Sequence, residues 1–190
     1  ATWLQDERGI APTDEMRVAM YAHAANGGIK IDKTAQTGVE GLYACGEATG
    51  GMHGADRIGG LSSANGIVFG RIAGASAAQA AQKEPETALK ADIALPQYGI
   101  AATDAERLTH SLRHTMSTYC MINRTETGLS EALHELEGLK TEATTLSTQK
   151  AQDSEVAALA RLQSQIQLAQ EMIKAMRKRT ESLGSHYRAD

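Results

Sequence analysis

Gly41-Leu-Tyr-Ala-Cys-Gly46-Glu47-Ala-Thr-Gly-Gly-Met-His53-Gly-Ala-Asp56-Arg57-Ile-Gly-Gly60, running on into Leu61-Ser62-Ser63-Ala-Asn-Gly-Ile-Val-Phe-Gly-Arg-Ile-Ala-Gly74, decides how this sequence folds. Gly41 to Cys45 reads as a short strand, the glycine-rich run to Gly60 as a loop, and Ser62 to about Gln82 as a helix carrying Ile67, Val68, Ile72 and Ala73. Upstream, Gly28 to Asp32 reads as a second short strand, joined to the first through the turn-rich Lys33 to Glu40. A strand, a glycine loop and a helix in that order bring backbone donors and the positive end of a helix dipole to one point. An anion or a polarised ring carbonyl is stabilised there. The loop itself offers Glu47, His53 and Arg57. Arginine suits a carboxylate because its planar fork donates two parallel charge-assisted hydrogen bonds, and His53, four residues earlier, adds a further donor.

Working outward, 14 of the 18 glycines fall in the first 74 residues, and the second half changes character. Apolar residues there recur at helical spacing: Leu108, Leu112, Met116 and Tyr119, then Leu129, Leu133, Leu136 and Leu139, then Leu159, Leu162, Ile166, Ala169, Ile173 and Met176. Three amphipathic helices are expected. Thr103 and Glu106 have the spacing of a capping box for the first, and the third is expected to run from about Ser154 to Ser182 and stop at Gly184. Pro85 and Pro96 bracket a segment that cannot be one continuous helix, so the boundary is placed there. The fold class is therefore α+β: short strands plus a helix over 1–95, then an all-α three-helix bundle over 96–190.

A formal charge of −4 gives no general attraction to nucleic acid, so an anionic ligand has to be held by a local cluster of donors. The basic run Lys174 to Arg179 is expected at a helix C-terminus, where cations favour the dipole without any ligand. Cys45 and Cys120 lie in unrelated contexts, which indicates neither a disulfide framework nor a metal site. His110, His114 and His134 fall on predicted helices and are expected to be solvated. No apolar run approaches the ~20 residues of a membrane span. The first residues, Ala1-Thr-Trp-Leu, read as the middle of something longer.

Four blocks, His23-Ala-Ala-Asn-Gly-Gly28-Ile, Gly41-Leu-Tyr-Ala-Cys-Gly46-Glu47-Ala, His53-Gly-Ala-Asp-Arg57-Ile-Gly-Gly and Val68-Phe-Gly-Arg-Ile-Ala-Gly74, resemble in order and spacing the flavoproteins of fumarate reductase, succinate dehydrogenase and L-aspartate oxidase. The resemblance continues through Met121-Ile-Asn-Arg124 and Arg179-Thr-Glu-Ser-Leu-Gly184-Ser-His186-Tyr-Arg188-Ala-Asp190. It implies that residues 1–95 are the C-terminal portion of an FAD-binding domain, and that His23, His53 and Arg57 hold the carboxylates of a C4 dicarboxylate during hydride transfer. It further implies that Gly46, Glu47, Arg57, Ser62 and Ser63 contact FAD. An iron–sulfur electron-transfer subunit is the implied partner, and the implied location is cytoplasmic or peripheral on the cytoplasmic membrane face. The sequence lacks the family's phosphate-gripping Gly-x-Gly-x-x-Gly and its capping domain, so these 190 residues alone are expected to be inactive. Asp56, Leu61 and Leu183 depart from the usual Asn, Asn and Arg; a carboxylate beside Arg57 is expected to pair with it and to leave L-aspartate open as substrate. The rival reading is a non-catalytic helical interaction module that keeps the loop as scaffold.

Overall fold

The computed structural model describes residues 2–15, 23–83 and 97–190. Helix α1 spans Thr2–Arg8, a 3-10 turn spans Gly46–Ala48, and α2 spans Leu61–Ala81. Then follow β1 (Tyr98–Gly99), α3 (Ala102–Tyr119), β2 (Asn123–Arg124), α4 (Glu126–Leu146), β3 (Thr148–Gln149), α5 (Asp153–Lys178) and β4 (Tyr187–Arg188).

Helices α3, α4 and α5 wrap one apolar core. Leu108 and Leu112 meet Leu129 and Leu136, and Leu159, Leu162, Ile166 and Ile173 fill the third side, with Met116, Tyr119, Leu133, Leu139 and Met176 packed around them. The helical period in the sequence therefore placed the core correctly, because each fully buried aliphatic side chain contributes roughly 1.5–3 kcal/mol and outweighs local preferences. Ile100 closes one end of this core behind the antiparallel pair β1 and β3. Gly99 has to be glycine there, since a Cβ would lie 2.5 Å from that of Ala151.

The helix ends differ from expectation in two places. The Thr103–Glu106 box does not form: α3 starts at Ala102 behind Ala101, so Thr103 already lies inside the first turn and cannot precede it. Capping operates instead on the next two helices, where Thr125 Oγ1 accepts the Gly128 N–H at 3.1 Å and Glu155 Oε2 accepts the Gln152 N–H at 2.9 Å. The third helix also ends at Lys178 rather than Ser182. Beyond it the chain folds back, Leu183 bridging His186, and β4 pairs in parallel with β2. The reason is at the tip. Arg188 Nη1 lies 3.4 Å from the carbonyls of Met176, Arg177 and Arg179, acceptors at the end of α5 that have no donor within the helix. Asp190 meanwhile accepts the Glu126 N–H at 2.5 Å at the start of α4.

In the glycine-rich half, each expected strand is reduced to one isolated bridge, Ile29 to Thr49 and Tyr43 to Gln36, and neither bridge links one strand to the other. Asp32 is the cause. Its Oδ1 accepts the N–H groups of Thr34 (2.8 Å) and Gln36 (3.0 Å) and the Thr34 hydroxyl (2.7 Å), turning the chain where a ladder would continue. Those same bonds hold its carboxyl below the usual carboxylate range. Helix α2 falls within one residue of its expected span, and its side chains leave Ile67 and Val68 exposed. The expected boundary at Pro85 to Pro96 lies outside the described residues. No helix among the described residues is long and apolar enough to cross a membrane.

Candidate functional site

The site is built on two backbone segments lying back to back. Ile29 N–H donates to the Ala48 carbonyl at 2.8 Å and Gly50 N–H donates to the Ile29 carbonyl at 3.1 Å. At Gly28 a Cβ would fall 2.5 Å from the Ala48 oxygen, so only glycine lets the segments approach this closely. Glu47, in the 3-10 turn, adds a third tie: its Oε1 accepts the Ala25 N–H at 2.9 Å. The segment bearing His23 is thereby fixed to the start of the loop that carries His53 and Arg57.

That loop ends at Gly60, which takes a left-handed conformation (φ 88°) and starts α2 with no side-chain cap. The first turn therefore presents Ser62 and Ser63 on bare backbone, with the Ser63 N–H turned to the Gly60 carbonyl at 3.1 Å. Inside the same helix Asn65 places its amide nitrogen 3.4 Å from His53 Nε2, which holds the half-buried imidazole against α2. From the other side, Asn26 Nδ2 donates to the Ala55 carbonyl at 3.5 Å. Neither asparagine was singled out from the sequence; both lie within the recognised blocks or next to them, but a lone amide carries no chemical signature of its own.

Arg57 is half-buried, and its guanidinium has no hydrogen bond or ion pair among the described residues. The expected pairing with Asp56 does not occur. Asp56 Oδ1 instead accepts the Arg57 backbone N–H at 2.8 Å, so the carboxylate shapes the turn while the guanidinium keeps its donors. Two buried acceptors nearby, Asn26 Oδ1 and Asn65 Oδ1, likewise have no partner among the described residues. Buried polar atoms without partners are uncommon in folded proteins, and these two flank the loop that also holds an unpaired arginine. Tested against a flavin, the surface fits. It offers backbone uncovered by side chains, an uncapped helix start, unfilled acceptors and a cation for a ligand with polar ring edges and a hydroxylated chain.

The helical half places its polar groups differently. His110, His114 and His134 are exposed, as expected, the first two along a shallow groove of about 660 Å³ between α3 and α4. Glu135 bridges the same helices, accepting from the Thr115 hydroxyl at 2.6 Å and from Tyr119 at 3.3 Å. In the basic run at the end of α5, Lys174 pairs with Glu171 at 2.6 Å and Arg177 pairs with Glu126. Burial pushes the Cys120 thiol up to about 11, which keeps it an inert member of the core.

Comparison with known proteins gives two family matches: residues 109–190 match the fumarate reductase flavoprotein C-term family, and residues 4–63 match the FAD binding domain family. An uncharacterised FAD-dependent oxidoreductase of Methanocaldococcus jannaschii is 34% identical over 93% of this chain and 34% of its own length. The L-aspartate oxidase of Acinetobacter baylyi is 33% identical over 97% of this chain and 34% of its own length. Among solved structures, Mycobacterium smegmatis Sdh1 in complex with UQ1 aligns with a TM-score of 0.83 at 29% identity, covering 100% of this chain and 34% of that one. The chain thus spans about a third of the length of the relatives it matches.

Proposed function

The chain belongs to the fumarate reductase, succinate dehydrogenase and L-aspartate oxidase family of FAD-containing flavoproteins, and on that premise we propose that it supplies the carboxylate-holding half of a site that moves hydride between flavin and a C4 dicarboxylate. The observation that carries the reading is the Arg57 guanidinium, unpaired among the described residues and four residues after a histidine that Asn65 holds in place. A planar fork with free donors binds a carboxylate bidentately, and His53 and His23 add donors for the second carboxylate. FAD, when bound, supplies the hydride acceptor or donor. Glu47, Gly46, Ser62, Ser63 and Arg57 are the residues that would hold it. The start of α2 favours negative charge on a reduced ring, and the loop backbone keeps its own donors fixed before substrate arrives. Positioning and polarisation of the substrate carboxylate by Arg57 would then lower the barrier without covalent chemistry from this chain.

Residues 1–95 are read as flavin-domain and 96–190 as helical domain, with partner subunits, including an iron–sulfur one, exchanging electrons with the flavin. The exposed Ile67 and Val68 on α2 support a flavin domain larger than these residues. Oxidation of L-aspartate is the second reading. It is favoured by the Acinetobacter relative and by the Asp56 carboxylate, which has an oxygen left to accept from a substrate ammonium group.

The test is Arg57→Ala in the flavoprotein that contains this chain. Turnover of fumarate or succinate should fall about a thousandfold, or ~4 kcal/mol, with FAD still bound. Unchanged kinetics would remove Arg57 from the site. The 190-residue chain by itself, lacking a phosphate-gripping loop, should lose FAD on gel filtration, and a stoichiometric yellow complex would contradict this.

A further inference from the structure

The loop between His53 and Arg57 is pressed from behind by the far end of the chain. Gly184, in the bend between Leu183 and His186, sits so close that a Cβ there would lie 2.5 Å from the Ala55 oxygen and 2.9 Å from the Ala55 Cβ. Its φ of 59° also favours glycine. This bend is anchored on the bundle. Arg124 Nη1 donates to His186 Nδ1 at 2.5 Å, so His186 donates through Nε2–H to the Arg179 carbonyl at 2.9 Å. The same guanidinium donates through Nε and Nη2 to the Cys120 carbonyl at the end of α3, 3.1 Å in each case. Tyr187 N–H then donates to the Ile122 carbonyl at 3.0 Å. Ala55 is therefore fixed from two sides, by Asn26 on the segment of His23 and by Gly184 on the helical half.

We propose that Gly184 is a positioning residue: held by the Arg124–His186 pair, it is the strut through which the helical bundle sets the geometry of the His53–Arg57 loop. The inference deepens the dicarboxylate reading and rests on it for its catalytic consequence, but the mechanical part stands alone. Arg57 and His53 lie two residues to either side of Ala55, so a displaced Ala55 carries both away from the positions that grip one ligand. Because a carboxylate clamp acts on bound substrate as well as on the transition state, misplacement should weaken binding more than it slows chemistry.

Two variants test it, Gly184→Ala and Arg124→Met, the second releasing the anchor without adding a Cβ. In the full chain, amide hydrogen exchange at residues 53–57 should accelerate about tenfold while the α4 and α5 core amides keep their protection. In the flavoprotein, KM for the dicarboxylate should rise about tenfold with kcat changed less than about threefold, and Arg124→Lys should restore part of the loss. Should Gly184→Ala fail to fold, Arg124→Met decides alone. Unchanged exchange at 53–57 in that folded variant overturns the strut whatever the substrate. Faster exchange in a flavoprotein that turns over no dicarboxylate would leave the strut standing and overturn the proposed function instead.

Discussion

Two arginines separated by most of the chain show how differently the same residue type is used. Arg188, in the C-terminal turn, has a side chain only 6% exposed, surrounded by three helix-end carbonyls, Glu126 and both oxygens of Asp190. Arg57, in the glycine loop, is half-buried and its guanidinium has no partner among the described residues. Both lie in blocks that resemble the same family, so resemblance does not separate them. Partner satisfaction does. A buried cation whose every donor is spoken for is part of the frame, whereas the idle donors of Arg57 are what the proposed carboxylate site requires.

The contrast predicts opposite outcomes for the two sites. Arg188→Met should cause a large loss of folding stability. It strips the end of α5 of its donor and frees Asp190 from its grip, lowering the thermal midpoint, whereas Arg57→Ala should leave that midpoint within about 1 °C. A melting curve of each variant, followed at the helical CD band, checks both. If Arg57→Ala destabilises as much as Arg188→Met, the distinction drawn between frame and site fails.

Acid should attack the frame first. His186 is held below the usual histidine range, by burial first and by the neighbouring Arg124, Arg179 and Arg188 charges, and it serves as an acceptor only while neutral. The unfolded chain then takes up a proton that the folded chain refuses, so stability is full above about pH 6.5 and declines as pH falls below it. Asp190, lowered to about 2 by Arg188 and the Glu126 N–H, adds a second decline as pH falls from 3.8 toward 2. Chemical denaturation at pH 7.5, 6 and 5 should show the first decline, and His186→Gln should flatten it. A wild-type profile flat between pH 7.5 and 5 would contradict the role assigned to the Arg124–His186 pair.

The smallest effect belongs to Asp56. Its carboxylate accepts the Arg57 backbone N–H and forms no ion pair with the guanidinium, and an amide oxygen can accept the same bond. Asp56→Asn should therefore change KM for fumarate or succinate by less than about fivefold. A large gain in affinity would mean that Asp56 does restrain Arg57. A loss confined to L-aspartate would favour the second substrate reading.

What the sequence made legible was whatever is local. Leu129, Leu136 and the Leu159 to Ile173 row announce their helices because each helix carries its own apolar stripe. The loop was legible because its glycines and its His53 and Arg57 crowd into a few residues. Long-range polar closure was hidden: Asp190 caps α4 from 64 residues away, and Gly184 meets Ala55 across most of the chain. No period or spacing records such pairings. The Thr103 assignment failed for a related reason, since a capping box needs its first residue outside the helix and Ala101 took that place. The strands at 28–32 and 41–45 shrink to single bridges where Asp32 accepts the Thr34 and Gln36 N–H groups and turns the chain out of the extended path.

The claim that Arg57 is held ready for a carboxylate is tested most directly by equilibrium binding of succinate to the FAD-loaded flavoprotein, in wild type, Arg57→Ala and Arg188→Met. The account predicts binding about a hundredfold weaker for Arg57→Ala, and at most a few-fold weaker for folded Arg188→Met. Equal affinity in wild type and Arg57→Ala would contradict it.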